Sequence, residues 1–227
     1  MTILAGIIIT VIVYIVSKQL YKKWNIVVFS PMFTSFIALI IILSVFRIPY
    51  ATYDQGGKWF TFMLGPATVA FAVPLHKNFS LLKQYAVPLI SSIIAGSLTA
   101  LLSTVLLAEG LHMTGLVVDS LAPRSITTPV AMDVSHMIGG QPVLTAAFVI
   151  LTALCGLLVN PIIIALFKIH SPLAKGTLLG VGAHGIGTAK AFELGSIEGT
   201  VSSLSMILAA GATLILAPII MPLLLHM

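Results

Sequence analysis

Hydroxyl and basic side chains cluster in residues 121–129, with the sequence LAPRSITTP. Arg124 supplies a permanent positive charge, and three hydroxyl residues follow it: Ser125, Thr127 and Thr128. Arginine holds a carboxylate through two parallel hydrogen bonds, which fixes orientation as well as charge. The stretch therefore predicts a binding site for a carboxylate or another small anion. The alternative is an ordinary loop and amphipathic helix with Arg124 in water.

A helix beginning near Pro123 would add to such a site. Proline is favoured in the first turn of a helix, and Asp119 or Ser120 precedes it as a possible N-cap. The first turn would present free backbone N–H groups and the positive end of the helix dipole to the anion.

A second unusual stretch, residues 180–190, has the sequence GVGAHGIGTAK. Its glycines predict an interrupted helix, which is tolerated at membrane depth only inside protein or beside a watery cavity. We expect the break to contribute Gly185, Gly187 and Thr188 to the anion site. The alternative is close helix packing through small residues. A nucleotide site is excluded, because the glycine motif of such sites requires a βαβ context.

Three residues are candidates for proton coupling. His184 lies within the glycine stretch and can exchange a proton near neutral pH. Lys190 follows the same stretch, and Asp133 lies three residues before His136, on the same face of a helix. A solvated surface pair is the alternative for Asp133 and His136.

A third interruption is predicted at Gly65-Pro66, because proline removes a helical hydrogen bond. Thr68 follows it and joins the candidate binding residues. The alternative is a tolerated kink. No pattern of a hydrolase or metalloprotease is present, and the single cysteine, Cys155, has no partner for a disulfide or a thiolate metal site. We therefore expect neither an enzyme nor a metal or other cofactor.

Composition places the chain in a bilayer. Of its 227 residues 59% are hydrophobic and 7% charged, whereas soluble domains carry about 25% charged residues. Mean hydropathy is +1.14. The fold class is all-α, a polytopic transmembrane protein of about 6–8 membrane segments, some discontinuous or re-entrant. The net charge of +5 is read as topogenic, and nucleic-acid binding is excluded because no basic patch with interleaved aromatic residues is present.

The apolar runs and the basic loops give a topology. Six runs are long enough to span: Thr2–Leu20, Asn25–Phe46, Trp59–Leu75, Gln84–Ala108, Pro142–Phe167 and Thr200–Leu225. The lysines at positions 18, 22 and 23 place the first loop inside the cell and the N-terminus outside. Matches after a shift of 115 residues (180 − 65) indicate an inverted repeat with halves 25–110 and 140–225, joined by a broken or re-entrant segment, 111–138.

These stretches resemble the LrgB/CidB family. The resembling blocks are residues 65–70, 121–129, 183–190 and 198–204, and the likeness extends over nearly the whole chain. The family commonly has Lys where Arg124 stands and Glu where Asp133 stands.

The resemblance implies two functions and a location in the bacterial plasma membrane. One function is transport of small monocarboxylates such as pyruvate, glycolate or lactate, as in the similar C-terminal part of the plastid glycolate/glycerate translocator. The other is antiholin-like control of murein hydrolase activity and autolysis. Both are implied to involve a small LrgA/CidA-like membrane partner, and a homodimer is expected by analogy with other repeat-built carriers.

Overall fold

The computed structural model describes residues 3–24, 29–70 and 72–225, and in that part every regular element is helical. The all-α prediction is therefore confirmed. The chain divides into two compact units, Met1–Ala70 and Phe71–Met227. The predicted repeat halves 25–110 and 140–225 remain a prediction.

The first unit contains three helices: α1 (Ile3–Trp24), α2 (Pro31–Val45) and α3 (Tyr50–Ala70). Helix α1 packs against both α2 and α3. The predicted interruption at Gly65-Pro66 is wrong, because α3 continues through Pro66 to Ala70. Proline costs one backbone hydrogen bond but does not have to end a membrane helix. The side chain of Thr68 lies outside the described part, as do residues 25–28 at the start of one predicted span.

Two glycines bring α1 and α3 into close contact. A Cβ atom on Gly56 would lie 2.6 Å from the backbone carbonyl oxygen of Ile3 and 3.1 Å from Cα of Gly6. One turn further along α1, the hydroxyls of Thr10 and Tyr53 form a hydrogen bond of 2.8 Å. The contact thus combines backbone approach with a polar bond, as is usual between helices in lipid.

The substitution Gly56→Ala should therefore destabilise the protein. The added methyl group must separate α1 from α3, and overpacking of this kind costs about 1–3 kcal/mol. We expect a fall of several degrees in the melting temperature of the detergent-purified protein, followed by tryptophan fluorescence. Gly65→Ala is the matched control in the same helix, since a Cβ there meets nothing within 4 Å. Equal melting temperatures for the two variants would contradict the close contact.

The second unit contains the remaining eight described helices: α4 (Ala72–Lys77), α5 (Phe79–Gln84), α6 (Ala86–Gly110), α7 (Gly115–Leu121), α8 (Thr128–Ile138), α9 (Pro142–Leu166), α10 (Pro172–Leu194) and α11 (Ser196–Leu225). A 3₁₀ turn, Ala122–Ser125, lies between α7 and α8. Helices α6, α9 and α11, together with α1 of the first unit, are long and apolar enough to cross a membrane. The shorter α2 is also apolar.

Helix α10 is a hairpin rather than a straight rod. Gly180 packs against the backbone carbonyl of Ser202 on α11, and the hydroxyl of Thr188 lies 2.9 Å from that of the same Ser202. Residues eight positions apart in a straight helix are separated by about 12 Å and could not both contact one residue. The chain must therefore double back between them.

The reversal occurs at His184. Its backbone angles, φ 48° and ψ −127°, are not helical, and a Cβ on Gly187 would collide with the backbone carbonyl of Leu179. The two arms of α10 are thus in direct contact around His184. The predicted break in the glycine stretch is real, and it makes α10 a re-entrant segment whose two ends lie on the same side.

The segment from α7 to α8 also enters and returns. Arg124 in the 3₁₀ turn contacts α6 and α9 well inside their ends, and Gly140 after α8 packs against Asp119 in α7. The sequence predicted a helix that begins near Pro123, but the structure has only the short 3₁₀ turn there, with Pro123 in its first turn. Helix α8 begins at Thr128 with Thr127 as its N-cap, and Pro129 occupies the first turn. Asp119 and Ser120 lie inside α7 and do not cap a helix.

Candidate functional site

Arg124 is partly buried within the second unit. Its Nε donates to Thr104 Oγ1 at 3.2 Å, and its Nη1 donates to Thr152 Oγ1 at 3.3 Å. Thr152 is ten residues beyond the start of α9, about 15 Å along the helix. Thr104 lies six residues before the end of α6, about 9 Å along that helix. The guanidinium group therefore lies between the two helices, inside the ends of both.

No acidic side chain neutralises Arg124 in the described part of the chain. The ion pair found there within 4.0 Å joins Lys190 and Glu193. The two threonine hydroxyls satisfy two of the five guanidinium N–H groups. A buried cation without a counter-ion is expensive in lipid. The arrangement therefore leaves a positive charge, and N–H donors, available to an anion from outside the chain.

His184 lies at the tip of the α10 hairpin and is 3% exposed. Neither ring nitrogen forms a hydrogen bond of normal geometry within the described residues. Its polar neighbours are the backbone of Ser125 and the guanidinium group of Arg124, in agreement with the contact between α10 and the 3₁₀ turn. The tips of the two re-entrant segments thus meet, and the imidazole lies within electrostatic range of the guanidinium group.

A cavity of about 510 Å³ opens beside Arg124, between α6, α9 and α10. Arg124 is the one charged side chain among the described residues that line it. The other polar groups come from Thr104, Thr152, Asn160 and the backbone of Gly182, and the rest of the wall is mostly leucine and other apolar residues. A single cation in an apolar cavity suits a small organic anion that carries one negative charge.

The structure brings only part of the predicted binding set to this cavity. Arg124 lines it, whereas the others do not: Ser125, Thr127, Thr128, Gly185, Gly187 and Thr188. Thr127 Oγ1 is buried without a hydrogen-bond partner. Thr188 bonds to α11, and Gly187 permits the hairpin contact described above. Thr188 and Gly187 therefore shape the hairpin, and Gly185 is exposed.

The other two proton candidates lie elsewhere. Asp133 and its neighbour His136 are both exposed on α8. Lys190 Nζ lies 2.7 Å from Glu193 Oε2, in an ion pair at the solvent-accessible surface of the protein. None of the three candidates, Asp133, Lys190 and His184, lines the cavity. His184 is the one that has Arg124 among its electrostatic neighbours.

Sequence reasoning missed four polar contributors: Thr104, Thr152, Asn160 and Gly182. Asn160 had a recognisable signal, since it is a lone amide within the apolar helix α9. The threonines had none, because their hydroxyls are common in membrane helices, where they bond to the preceding turn. Gly182 was noticed as part of the break but not as a wall of the site.

The thiol of Cys155 provides a probe of this cavity, because it is exposed and lines it. Since the chain has no second cysteine, labelling reports one position. We expect an anionic methanethiosulfonate to react faster than its cationic counterpart, by about tenfold for a field equivalent to 1.4 kcal/mol. The preference should disappear in Arg124→Gln. An equal preference in both proteins would show that Arg124 does not set the field in the cavity.

The spanning helices and the two re-entrant segments define a multi-pass, all-α membrane protein. The comparisons with known proteins identify its family. The chain belongs to the LrgB-like family, whose model matches residues 10–223.

Several relatives match this chain over most of their own length. YwbG of Bacillus subtilis (strain 168) is 49% identical over 218 residues, covering 96% of this chain and 97% of its own. YxaC of the same organism is 34% identical over 204 residues, covering 90% and 89%. The antiholin-like protein LrgB of Bacillus cereus (strain B4264) is 31% identical over 218 residues, covering 96% and 95%. No solved structure matches the chain.

Proposed function

We propose that the protein is a membrane carrier of small monocarboxylates, of the size of pyruvate, glycolate or lactate. The observation that supports this most directly is the guanidinium group of Arg124, which faces a cavity and has no acidic partner among the described residues. An anion in the cavity would supply the missing charge through charge-assisted hydrogen bonds.

The site also favours one carboxylate over two. Arg124 is the single charged side chain of the described cavity wall, and leucines and Phe148 form much of the remainder. A second carboxylate would be desolvated there without a cation to receive it. The alkyl part of a monocarboxylate, in contrast, gains from apolar contact.

Uptake by proteoliposomes tests the proposal. The purified protein is reconstituted, and entry of radiolabelled pyruvate, glycolate and lactate is followed against liposomes without protein. We expect saturable uptake and exchange between internal and external substrate. Uptake that never saturates, or that equals that of empty liposomes for all three acids, would contradict carrier function.

The neighbouring imidazole supports coupling to protons. A protonated His184 beside Arg124 places two positive charges together, and a bound carboxylate relieves their repulsion. Binding of the anion and of the proton would therefore favour each other, and by linkage the effect is reciprocal. This arrangement suits symport of one carboxylate with one proton, which carries no net charge.

A second candidate function is regulation of autolysis through a holin-like partner, without a substrate. It is favoured by the name of the Bacillus cereus relative, an antiholin-like protein. This function predicts a lysis phenotype only in the presence of the partner, and no saturable uptake. An interaction module has no need of a buried cation beside a cavity, so the structure gives it less support.

For the cellular setting we propose the bacterial plasma membrane, with the N-terminus outside, a homodimer and a small LrgA/CidA-like membrane protein as partner. The orientation rests on the basic loop at Lys18, Lys22 and Lys23. Labelling of a cysteine introduced at Lys22, in Cys155→Ser, tests it: an impermeant maleimide should react only after the cells are opened. Co-purification with the partner, and cross-linking between copies, test the assembly.

A further inference from the structure

Asn160 stands out among the buried polar residues of α9. Its side chain is 4% exposed, and its Nδ2 has no hydrogen-bond partner within the described residues. It lines the same cavity as Arg124. Leaving a buried amide unsatisfied costs about 1–3 kcal/mol, so a group that enters the cavity and bonds to it would remove a standing penalty.

The position of Asn160 relative to Arg124 limits the size of that group. Thr152, Gly156 and Asn160 are spaced four residues apart, so they share one face of α9. Arg124 bonds to Thr152 at one end of this row. Thr152 and Asn160 are about 12 Å apart along the helix axis, and the Asn160 side chain tilts back towards the helix N-terminus and hence towards Thr152.

Glycines hold α9 and α10 in direct backbone contact beside this row. Gly156 and Gly182 both line the cavity, and a Cβ on Gly156 would collide with the Gly182 carbonyl. A Cβ on Gly182 would lie 3.0 Å from Asn160 Nδ2. The cavity therefore lies alongside this contact, and the molecule that joins the guanidinium group to the amide there, through hydrogen bonds of about 2.9 Å, is a small one.

From this geometry we infer that Asn160 is a specificity-determining residue that binds the oxygen on the carbon chain of a hydroxy- or keto-acid while Arg124 binds its carboxylate. The inference rests on the proposed carrier function. The amide N–H donates to a keto or hydroxyl oxygen, and the amide carbonyl can accept from a hydroxyl. Acids without this oxygen, such as propionate, leave Asn160 unsatisfied and bind more weakly.

Matched pairs of acids test the inference. Binding of lactate, pyruvate and propionate is measured by isothermal titration on the detergent-purified protein, because the three share a three-carbon skeleton. We expect wild type to bind lactate and pyruvate about tenfold or more tightly than propionate. In Asn160→Leu the preference should fall towards one, while affinity for propionate is retained. Thr145→Val, on the same helix and away from the cavity, is the control and should keep the preference.

A second variant covers the case in which Asn160→Leu does not fold. Asn160→Asp preserves the shape but replaces the N–H donor by a carboxylate. Its charge lowers the affinity for all three acids alike, whereas a hydroxyl can still donate to it and a keto oxygen cannot bond. The ratio of lactate to pyruvate affinity should rise in Asn160→Asp. An unchanged ratio in that variant, or a wild type that binds propionate as tightly as lactate, overturns the role of Asn160 and leaves the carrier intact. If no carboxylate binds or is taken up by wild type, both proposals fail.

Discussion

We expect Arg124→Met to abolish uptake of monocarboxylates and, at the same time, to raise the melting temperature of the substrate-free protein. Methionine keeps an apolar side chain of similar length but removes the partly buried cation, whose desolvation among apolar helices is costly. Loss of the charge-assisted hydrogen bonds to the substrate, about 3 kcal/mol, lowers affinity more than a hundredfold. Function and stability thus change in opposite directions.

Two further variants make this prediction specific. Arg124→Lys retains the charge but not the two parallel donors, so we expect partial uptake with weaker binding. Lys58→Ala removes an exposed cation and should change neither uptake nor melting temperature. The measurements are uptake in proteoliposomes and the shift of the melting temperature with added pyruvate, which a true binder must raise. Undiminished uptake by Arg124→Met would contradict the site.

The second large effect is expected at His184. An inward proton gradient should stimulate uptake by wild type several-fold, and in His184→Gly this stimulation should be lost while exchange of substrate across the membrane continues. The reason is that exchange requires only the anion site, whereas net uptake also requires the proton carried by the imidazole. Uptake is measured with pH 6 outside and pH 8 inside, and again with equal pH.

Glycine is the informative replacement, because His184 has a φ of 48°, in a region that glycine adopts without strain. An unusual conformation of this kind costs about 1–3 kcal/mol in a non-glycine residue. Relief of this strain should offset the lost packing and keep the protein folded. His170→Gln, at an exposed histidine, is the control and should remain coupled. A wild type that is indifferent to the pH gradient would remove His184 from the mechanism.

Together, the two predictions distinguish binding of the anion by Arg124 from coupling to protons through His184. If Arg124 variants fail in both exchange and net uptake, and His184 variants fail only in gradient-driven uptake, the tips of the re-entrant segments carry two distinct tasks. If both variants fail in both assays, the imidazole instead helps to hold the anion site together, and proton coupling has to be sought elsewhere.

The amino-acid sequence by itself determined that the chain lies in lipid and where its helices are irregular. Apolar runs such as Pro142–Phe167 can be buried only in lipid, and α9 occupies nearly that range. The glycine stretch around His184 could not form a regular helix, because glycine gives little helical preference and allows unusual backbone angles. Arg124 was recognisable because a cation in an apolar sequence is costly unless it has a task. All three conclusions depend on local composition.

The tertiary structure decided the course of α10, the residue at which α8 begins, and which side chains lie together. Sequence could not show that α10 doubles back, because the reversal depends on contacts of Gly180 and Thr188 with the same residue of α11. It placed the helix start at Pro123 rather than Thr128, since prolines at positions 123 and 129 are equally compatible with a first turn. Asn160 and Arg124 line the same cavity only because α9 packs against α10.

A positive charge that has no acidic partner among the described residues faces a mostly apolar cavity between α6, α9 and α10. Which residues surround that charge is a matter of long-range packing, since Thr104 and Asn160 are 20 residues before and 36 after Arg124. Hydropathy and glycine content, in contrast, report only on the conformation and solvent of a single turn or a single span. The cavity exists only where α6 and α9 meet the segment from α7 to Arg124 and the backbone of α10 at Gly182.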